Sequence, residues 1–238
     1  MSTRQILDQL LRSGQDLVKQ FGNQAQPHRN SAGTANETNN LSSLLSGFGG
    51  GALSSGALAM LLSNKKARKI GGNLALYGGM AALGALAYKA YGDWQRNQQP
   101  APSDGAPALA EPRTLDRLPA AEADEHSAAI LTAMIGAAKA DGHIGEEETR
   151  LLEQEMSRLA GDAHDRQWLH DELHRPLDPA AVASEARTPE MAAEMYLASL
   201  LVVDDQSFME RAYLDELARQ LKLPPDLKSK LEQQIQAM

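Results

Sequence analysis

The sequence predicts an all-α protein in which a helical bundle follows an apolar N-terminal half. From residue 125 onward, apolar residues recur at helical spacing, and no run alternates between apolar and polar residues as a half-buried strand would. Aromatic residues make up only 4% of the chain. A core with so few aromatic rings must be built from Leu, Ala, Met and Ile, which favours helices.

Charge divides the chain into two parts. Residues 1–100 contain ten Lys/Arg against four Asp/Glu, whereas residues 125–238 contain 11 against 22. The acidic part is expected to repel nucleic acid, and the basic part to be drawn to anionic lipid headgroups. We therefore expect membrane lipid, and no nucleic acid, among the partners. Since cysteine is absent, disulfides and Cys-based zinc sites are excluded.

Residues 1–22 form the first predicted element, an amphipathic helix. Its charged side chains and its apolar side chains fall on different faces. The apolar positions are Ile6, Leu7, Leu10, Leu11, Leu17, Val18 and Phe21. Such a helix either packs against another protein segment or lies on a membrane surface, and the sequence leaves both open. Residues 23–40, rich in Asn, Gln, Ser and Thr, are predicted to be a linker.

Residues 41–92 form a Gly/Ala-rich apolar region. Within it, residues 70–88 carry no charge and are long enough to span about 30 Å of hydrocarbon. A basic cluster at 65–69 precedes them, and Tyr88, Tyr91 and Trp94 stand at the far end, where aromatic rings favour a membrane interface. The pattern predicts a transmembrane helix at 70–88, with a buried helix of a soluble protein as the alternative.

The stretch at 41–64 is also uncharged, and it either spans as the first helix of a hairpin or forms a flexible loop. Small residues recur at every fourth position in both stretches, which lets helices approach closely in lipid. They are Gly47, Gly51 and Ser55 in the first stretch and Gly71, Ala75 and Gly79 in the second. This pattern predicts homo-oligomers formed through small-residue helix faces.

A Pro/Ala-rich tether is predicted at 93–124, followed by the acidic helical domain at 125–238. Ile130, Leu131, Met134 and Ile135 form one core-facing stripe of that domain. A second stripe predicts another helix, and its residues are Leu151, Leu152, Met156 and Leu159. A third helix is marked by Trp168, Leu169 and Leu173, and a short fourth is expected to start within Pro179–Ala186. The last three are predicted at Pro189–Val203, Phe208–Leu221 and Pro225–Ile235.

Two junctions between helices carry acidic residues at similar spacing. Asp141 and Glu148 match the second half of a calcium-loop pattern. Ala137 and Lys139 stand where the first half needs oxygen ligands, so a standard calcium loop is excluded. Turn and helix-cap chemistry explains the acidic residues without a metal. The alternative is a divalent ion shared between Asp141, Glu148 and Asp205, together with Asp204.

A pair of histidines, His170 and His174, lies one helical turn apart and resembles a metal-binding face. No third ligand stands at a fixed spacing from the pair. The chain also contains no nucleophile motif and no Gly-rich phosphate loop. We therefore expect no enzyme activity, no catalytic residue and no cofactor other than a divalent metal.

The run from Ala133 to Ile144, followed by Glu146, Glu147 and Glu148, resembles the signature of the TerB-like family, which is associated with tellurite resistance. The whole chain resembles the membrane-bound, YebE-like branch of that family. The resemblance implies a bundle of about seven helices in two similar halves at the bacterial inner membrane, with Asp141, Glu148 and Asp205 as candidate metal ligands. The second half departs from the motif at Gln206 and Ala212.

Together these features predict a membrane-tethered, non-enzymatic helical module for interaction or sensing. Its partner is an unknown protein, and its setting is envelope stress or metal resistance. The alternative is a divalent-metal-binding or metal-dependent protein that uses the acidic residues of the helical domain. The sequence leaves open the side of the membrane on which that domain lies.

Overall fold

The computed structural model describes residues 3–8, 80–98, 111–140, 163–203 and 208–237. Within these ranges every regular element is helical, as the sequence predicts. Residues 3–8 are helical. The other helices are α1 (Met80–Gln98), a 3-10 helix (Leu115–Arg117), α2 (Ala120–Ala138), α3 (Ala163–His174), α4 (Pro179–Ala183), α5 (Pro189–Val202), α6 (Phe208–Gln220) and α7 (Pro225–Gln236).

Helix α5 lies at the centre of the bundle. Every residue from Met191 to Val202 is buried, and α5 packs against α1, α2, α6 and α7. A helix that is buried all round needs neighbours on every face. Its start follows from local chemistry, because the Thr188 side chain accepts a hydrogen bond from the Met191 N–H and Pro189 occupies the first turn.

Helix α6 ends in a Schellman motif. The Leu223 N–H donates to the Ala218 carbonyl at 3.0 Å, and the Lys222 N–H donates to the Arg219 carbonyl at 3.1 Å. These two bonds satisfy carbonyls that a helix end otherwise leaves open. The following helix, α7, starts with Pro225 in its first turn, so the boundary between α6 and α7 falls where the prolines predict it.

The N-terminal half contributes to the same core as the acidic domain. Ile6 and Leu7 are fully buried in it, and the Thr3 hydroxyl donates a 2.8 Å hydrogen bond to the Asp124 carbonyl. Helix α1 buries Leu83 and packs against both α5 and α7. Of the two interpretations of the amphipathic N-terminus, residues 3–8 therefore fit packing against a protein segment.

The predicted span at 70–88 lies only partly within the described residues. Its second half, residues 80–88, belongs to α1, whose apolar side is covered by protein. The aromatic end of α1 also packs inward, with Tyr91 6% exposed and its ring centroid 5.4 Å from that of Trp94. In the described ranges, no helix combines the length and apolar character that crossing a bilayer requires.

The structure also differs from the expected tether at 93–124. Residues 93–98 continue α1, and residues 120–124 begin α2. Between them, residues 111–118, called the strap below, run along the bundle with Thr114 and Leu115 fully buried. Outside the 3-10 helix, the strap, which contains Pro112, is not helical, and its Thr114 and Leu115 side chains are buried.

Several predictions fall outside the described residues. These are the remainder of the N-terminal helix, the linker at 23–40, the apolar stretch at 41–64, the first half of the span and the small-residue faces. The helix expected around Leu151 and Leu152 is also outside them. All of them stay predictions from the sequence.

Candidate functional site

The three residues predicted to bind a metal, Asp141, Glu148 and Asp205, lie outside the described residues. Within the described ranges, no group of three or more Asp, Glu, His or Cys side chains is arranged to hold a metal ion. The metal site therefore stays a prediction from the sequence.

The histidine pair lies on α3, as its spacing predicts. The two rings are 4.3 Å apart between centroids, and His174 Nδ1 lies 2.9 Å from the His170 carbonyl oxygen. This contact commits one ring nitrogen of His174 to the backbone of its own helix. The arrangement is that of a surface helix face rather than of two nitrogens directed at one ion.

A buried histidine–glutamate pair forms the most distinctive polar site of the bundle. Glu194 projects from α5 with its side chain 0% exposed, and His126 projects from α2 with its side chain 6% exposed. Nε2 of His126 lies 2.5 Å from Oε2 of Glu194. The two atoms are in direct contact, and no other described side chain or backbone group forms a hydrogen bond with either of them.

The other carboxylate oxygen of Glu194 holds the strap. Oε1 accepts a 2.9 Å hydrogen bond from the Leu115 N–H at the start of the 3-10 helix. One side chain of the central helix therefore connects α2, α5 and the strap. A buried N–H without such an acceptor would be costly, so the glutamate also satisfies the backbone at the point where the strap enters the core.

Burial raises the pKa of Glu194, and the neighbouring Asp116 carboxylate raises it further. Contact with His126 and the hydrogen bond from Leu115 act in the opposite direction and lower the pKa. Desolvation is the larger influence, because the carboxyl group has no access to water. The net direction is upward from the ordinary value for glutamate.

The strap approaches α1 closely because of a glycine. A Cβ built on Gly84 would lie 2.4 Å from an oxygen of Asp116 and 3.0 Å from the Asp116 backbone nitrogen. Asp116 is also held by the Thr114 hydroxyl at 2.6 Å. The adjacent Arg117 guanidinium lies 4.0 Å from the ring centroid of Tyr88 on α1. Gly84 is therefore required for this packing geometry.

A second polar cluster joins α2 to the end of α3. The Lys139 ammonium donates to the carbonyls of Leu173, at 2.9 Å, and Arg175. Burial lowers the pKa of Lys139 and raises that of Glu172, which pairs with Arg175 at 3.2 Å. A cation at a helix C-terminus satisfies its open carbonyls. Lys139, excluded as a calcium ligand from the sequence, has this structural role.

Sequence reasoning did not identify His126 and Glu194 as a site. One signal was available, because Glu194 interrupts a stretch of α5 that is otherwise apolar or small on every face. A charged residue in such a helix is almost never fully buried without a partner. The identity of that partner requires the packing of α2 against α5, which residue spacing alone does not provide.

Comparison with known proteins places the chain in one family. Residues 47–235 match the family described as a protein of unknown function, DUF533, and this match covers more than half of the chain. A protein of Yersinia enterocolitica, described as an uncharacterized protein in the ampR 5′ region, is 34% identical over 112 residues. Those residues are 47% of this chain and 81% of that protein. No solved structure matches the chain. The chain belongs to the DUF533 family.

Proposed function

We propose that this protein is a membrane-associated, non-enzymatic helical module of the bacterial inner membrane. In this proposal the part of the apolar region between residues 41 and 79 inserts into the membrane, and the bundle is the interaction or sensing part. The observation that carries the proposal is that the chain on both sides of this part returns to one core. Ile6 and Leu7 are buried on one side of the region, and Leu83 and Ala87 on the other.

This arrangement limits how the apolar region can meet a membrane. Residues 3–8 and α1 pack in the same core, so they lie on the same side of any bilayer. The region between them then crosses an even number of times or inserts from one face. Such a path fits the hairpin interpretation of the two uncharged stretches, with the basic cluster at 65–69 forming the turn.

Charge supports the same arrangement. The apolar half carries an excess of Lys/Arg and the bundle an excess of Asp/Glu. Anionic headgroups attract the first and repel the second. Insertion of the apolar region would then hold the bundle near the membrane. Repulsion between the acidic bundle and the headgroups would leave the faces of the bundle available to a partner.

The finer family assignment is part of this proposal. The run from Ala133 to Ile144, with the three glutamates that follow, supports a TerB-like fold for the DUF533 bundle. A role in envelope stress or in tellurite or metal resistance rests on that resemblance.

Alkaline carbonate extraction of membranes tests the insertion. The full chain should remain in the membrane pellet, and a variant lacking residues 41–79 should be released with its bundle folded. The deletion must stop before residue 80, because removing residues 80–88 would take Leu83 and Ala87 out of the core. Release of the full chain by carbonate would refute the membrane role.

Cysteine labelling tests the arrangement of the two ends. The chain contains no cysteine, so single cysteines can be introduced at the exposed positions Gln5 and Gln233 without other changes. A membrane-impermeant maleimide should label both from the same side of the membrane. Labelling from opposite sides would contradict the shared core while leaving membrane insertion itself intact.

A further inference from the structure

A cleft of about 460 Å³ lies between the α4–α5 connection and the α6–α7 connection. Pockets of about 300–1,000 Å³ are the usual size for small ligands. Small apolar side chains line the cleft together with polar ones. The alanines among the lining residues are Ala180, Ala183, Ala186 and Ala192, and the α6–α7 side includes Gln220, Leu221 and Leu223.

The charge of this cleft is opposite to that of the domain around it. Among the described residues that line it, the ionisable ones are Arg187 and Lys222, and both are cations. The surrounding domain carries twice as many Asp/Glu as Lys/Arg. A cationic cleft in an acidic surface concentrates anions locally and distinguishes them from cations.

Two carboxylates near the cleft pair with arginines outside it. Glu185 faces Arg175 at 4.0 Å, and Glu216 is held by Arg219 through a 2.8 Å hydrogen bond from Nε. In the described part of the chain, no carboxylate pairs with the Lys222 ammonium.

Arg187 does pair with a carboxylate. Its Nη1 lies 2.5 Å from Glu125, but both side chains are more than half exposed. Exposed pairs of this kind are weak. The planar guanidinium has five N–H donors, so one carboxylate leaves other donors for a ligand in the cleft.

Lys222 also has an unusual backbone conformation. Lys222 has φ 55°, and it is the one residue other than glycine with positive φ in the described ranges. It occupies the position of the Schellman motif where glycine is preferred, because a side chain strains a left-handed backbone. A lysine here places an ammonium at the rim of the cleft at a cost in stability.

We propose that this cleft binds a small organic anion, with its carboxylate or phosphate group between Arg187 and Lys222 and its apolar part against the alanines that line the cleft. The start of α5 at Thr188 and Pro189 also lines the cleft, and the positive end of that helix favours the same charge. Neither His126 nor Glu194 lines this cleft.

Calorimetric titration of the full chain with three six-carbon probes tests the proposal. Hexanoate and hexyl phosphate carry the two candidate groups, and hexanamide is the neutral control. We expect hexanoate, hexyl phosphate or both to bind with a Kd of about 1 mM or tighter, and hexanamide to bind at least about tenfold more weakly. The stronger of the two anions identifies the group. No heat from either anion at about 10 mM, or equal affinity for hexanamide, would overturn the proposal.

Three variants separate a ligand role from a structural one. Lys222→Gly should weaken anion binding about tenfold and at the same time raise the melting temperature, because glycine relieves the strained backbone. Arg187→Gln should weaken binding to a similar extent. Lys230→Gln, on α7 away from the cleft, is the matched control and should bind as the parent does. Unchanged binding in both cleft variants would contradict the proposed site.

Discussion

Nε2 of His126 lies 2.5 Å from Oε2 of Glu194 in the interior of the bundle, and both side chains are almost completely buried. The pair connects α2 to α5, and through Leu115 it also holds the strap. Because ionisable groups are costly to bury, each of the two depends on the other for compensation. The free energy of unfolding of the bundle should therefore depend strongly on both residues.

Removing one partner should destabilise the protein strongly. Glu194→Ala leaves the histidine and the Leu115 N–H without their acceptor, so we expect the free energy of unfolding to fall by about 3–5 kcal/mol. Urea denaturation of the full chain in detergent measures the change. The double variant His126→Phe/Glu194→Met replaces the pair by apolar groups and should lose less, although its Leu115 N–H also stays without an acceptor. Equal losses in both proteins would contradict charge compensation between the two residues.

The pH dependence of stability should follow the raised pKa of Glu194. In the unfolded chain the carboxyl ionises near its ordinary value of 4.5, whereas in the folded chain burial keeps its proton to higher pH. Its contribution to the free energy of unfolding is fully present below 4.5 and is lost as pH rises through the folded pKa. Urea midpoints between pH 4 and about 8 should show this decline in the parent and a shallower one in Glu194→Gln. If the urea midpoints of the two proteins changed in parallel with pH, Glu194 would not be the group responsible for the decline.

The two glycines of α1 described by the structure should respond oppositely to alanine. Gly84→Ala places a methyl group against Asp116, including its backbone nitrogen at 3.0 Å, so the strap must shift at a cost of about 1–3 kcal/mol. At Gly92 the nearest atom to an added Cβ is the Arg96 guanidinium at 3.9 Å. Gly92→Ala should therefore stabilise α1, by up to about 1 kcal/mol. Thermal denaturation compares the pair, and a loss at both positions would indicate a general intolerance of α1 to side chains.

A third glycine, Gly136, lies close to the hydroxyl group of Tyr213. A Cβ on Gly136 would lie 2.5 Å from the hydroxyl oxygen of Tyr213, and in the described ranges that buried hydroxyl has no hydrogen-bond partner. Tyr213→Phe should therefore be neutral or stabilising by about 1 kcal/mol. It should also recover much of the stability lost in Gly136→Ala. A double-mutant cycle measures the coupling, and strict additivity would show that the hydroxyl is not what excludes the methyl group.

Local signals in the sequence predicted a large part of the fold. The prolines in the first turns of α4, α5 and α7 mark where those helices begin, and Ile130, Leu131 and Met134 are buried as the stripe on α2 predicts. These features depend on backbone chemistry and helical periodicity, both of which are visible in a short window of sequence.

The position of α1 could not be predicted in this way. Leu83 and Ala87 form an apolar stripe, and such a stripe is equally suited to lipid or to protein. Periodicity shows which side chains share a face but not what covers that face. The His126–Glu194 pair was missed for the same reason, because its two members come from helices that meet only in the folded bundle.

The hydrogen bond from Thr3 to Asp124 joins residues 121 positions apart in the chain. At the other end, α1 packs against α7, the last helix of the bundle. Synthesis runs from residues 3–8 towards α7, so the first helical residues emerge long before Asp124 and before the helix against which α1 packs. The core can close only after α7 has been synthesised, and until then residues 3–8 lack the contacts that bury Ile6 and Leu7.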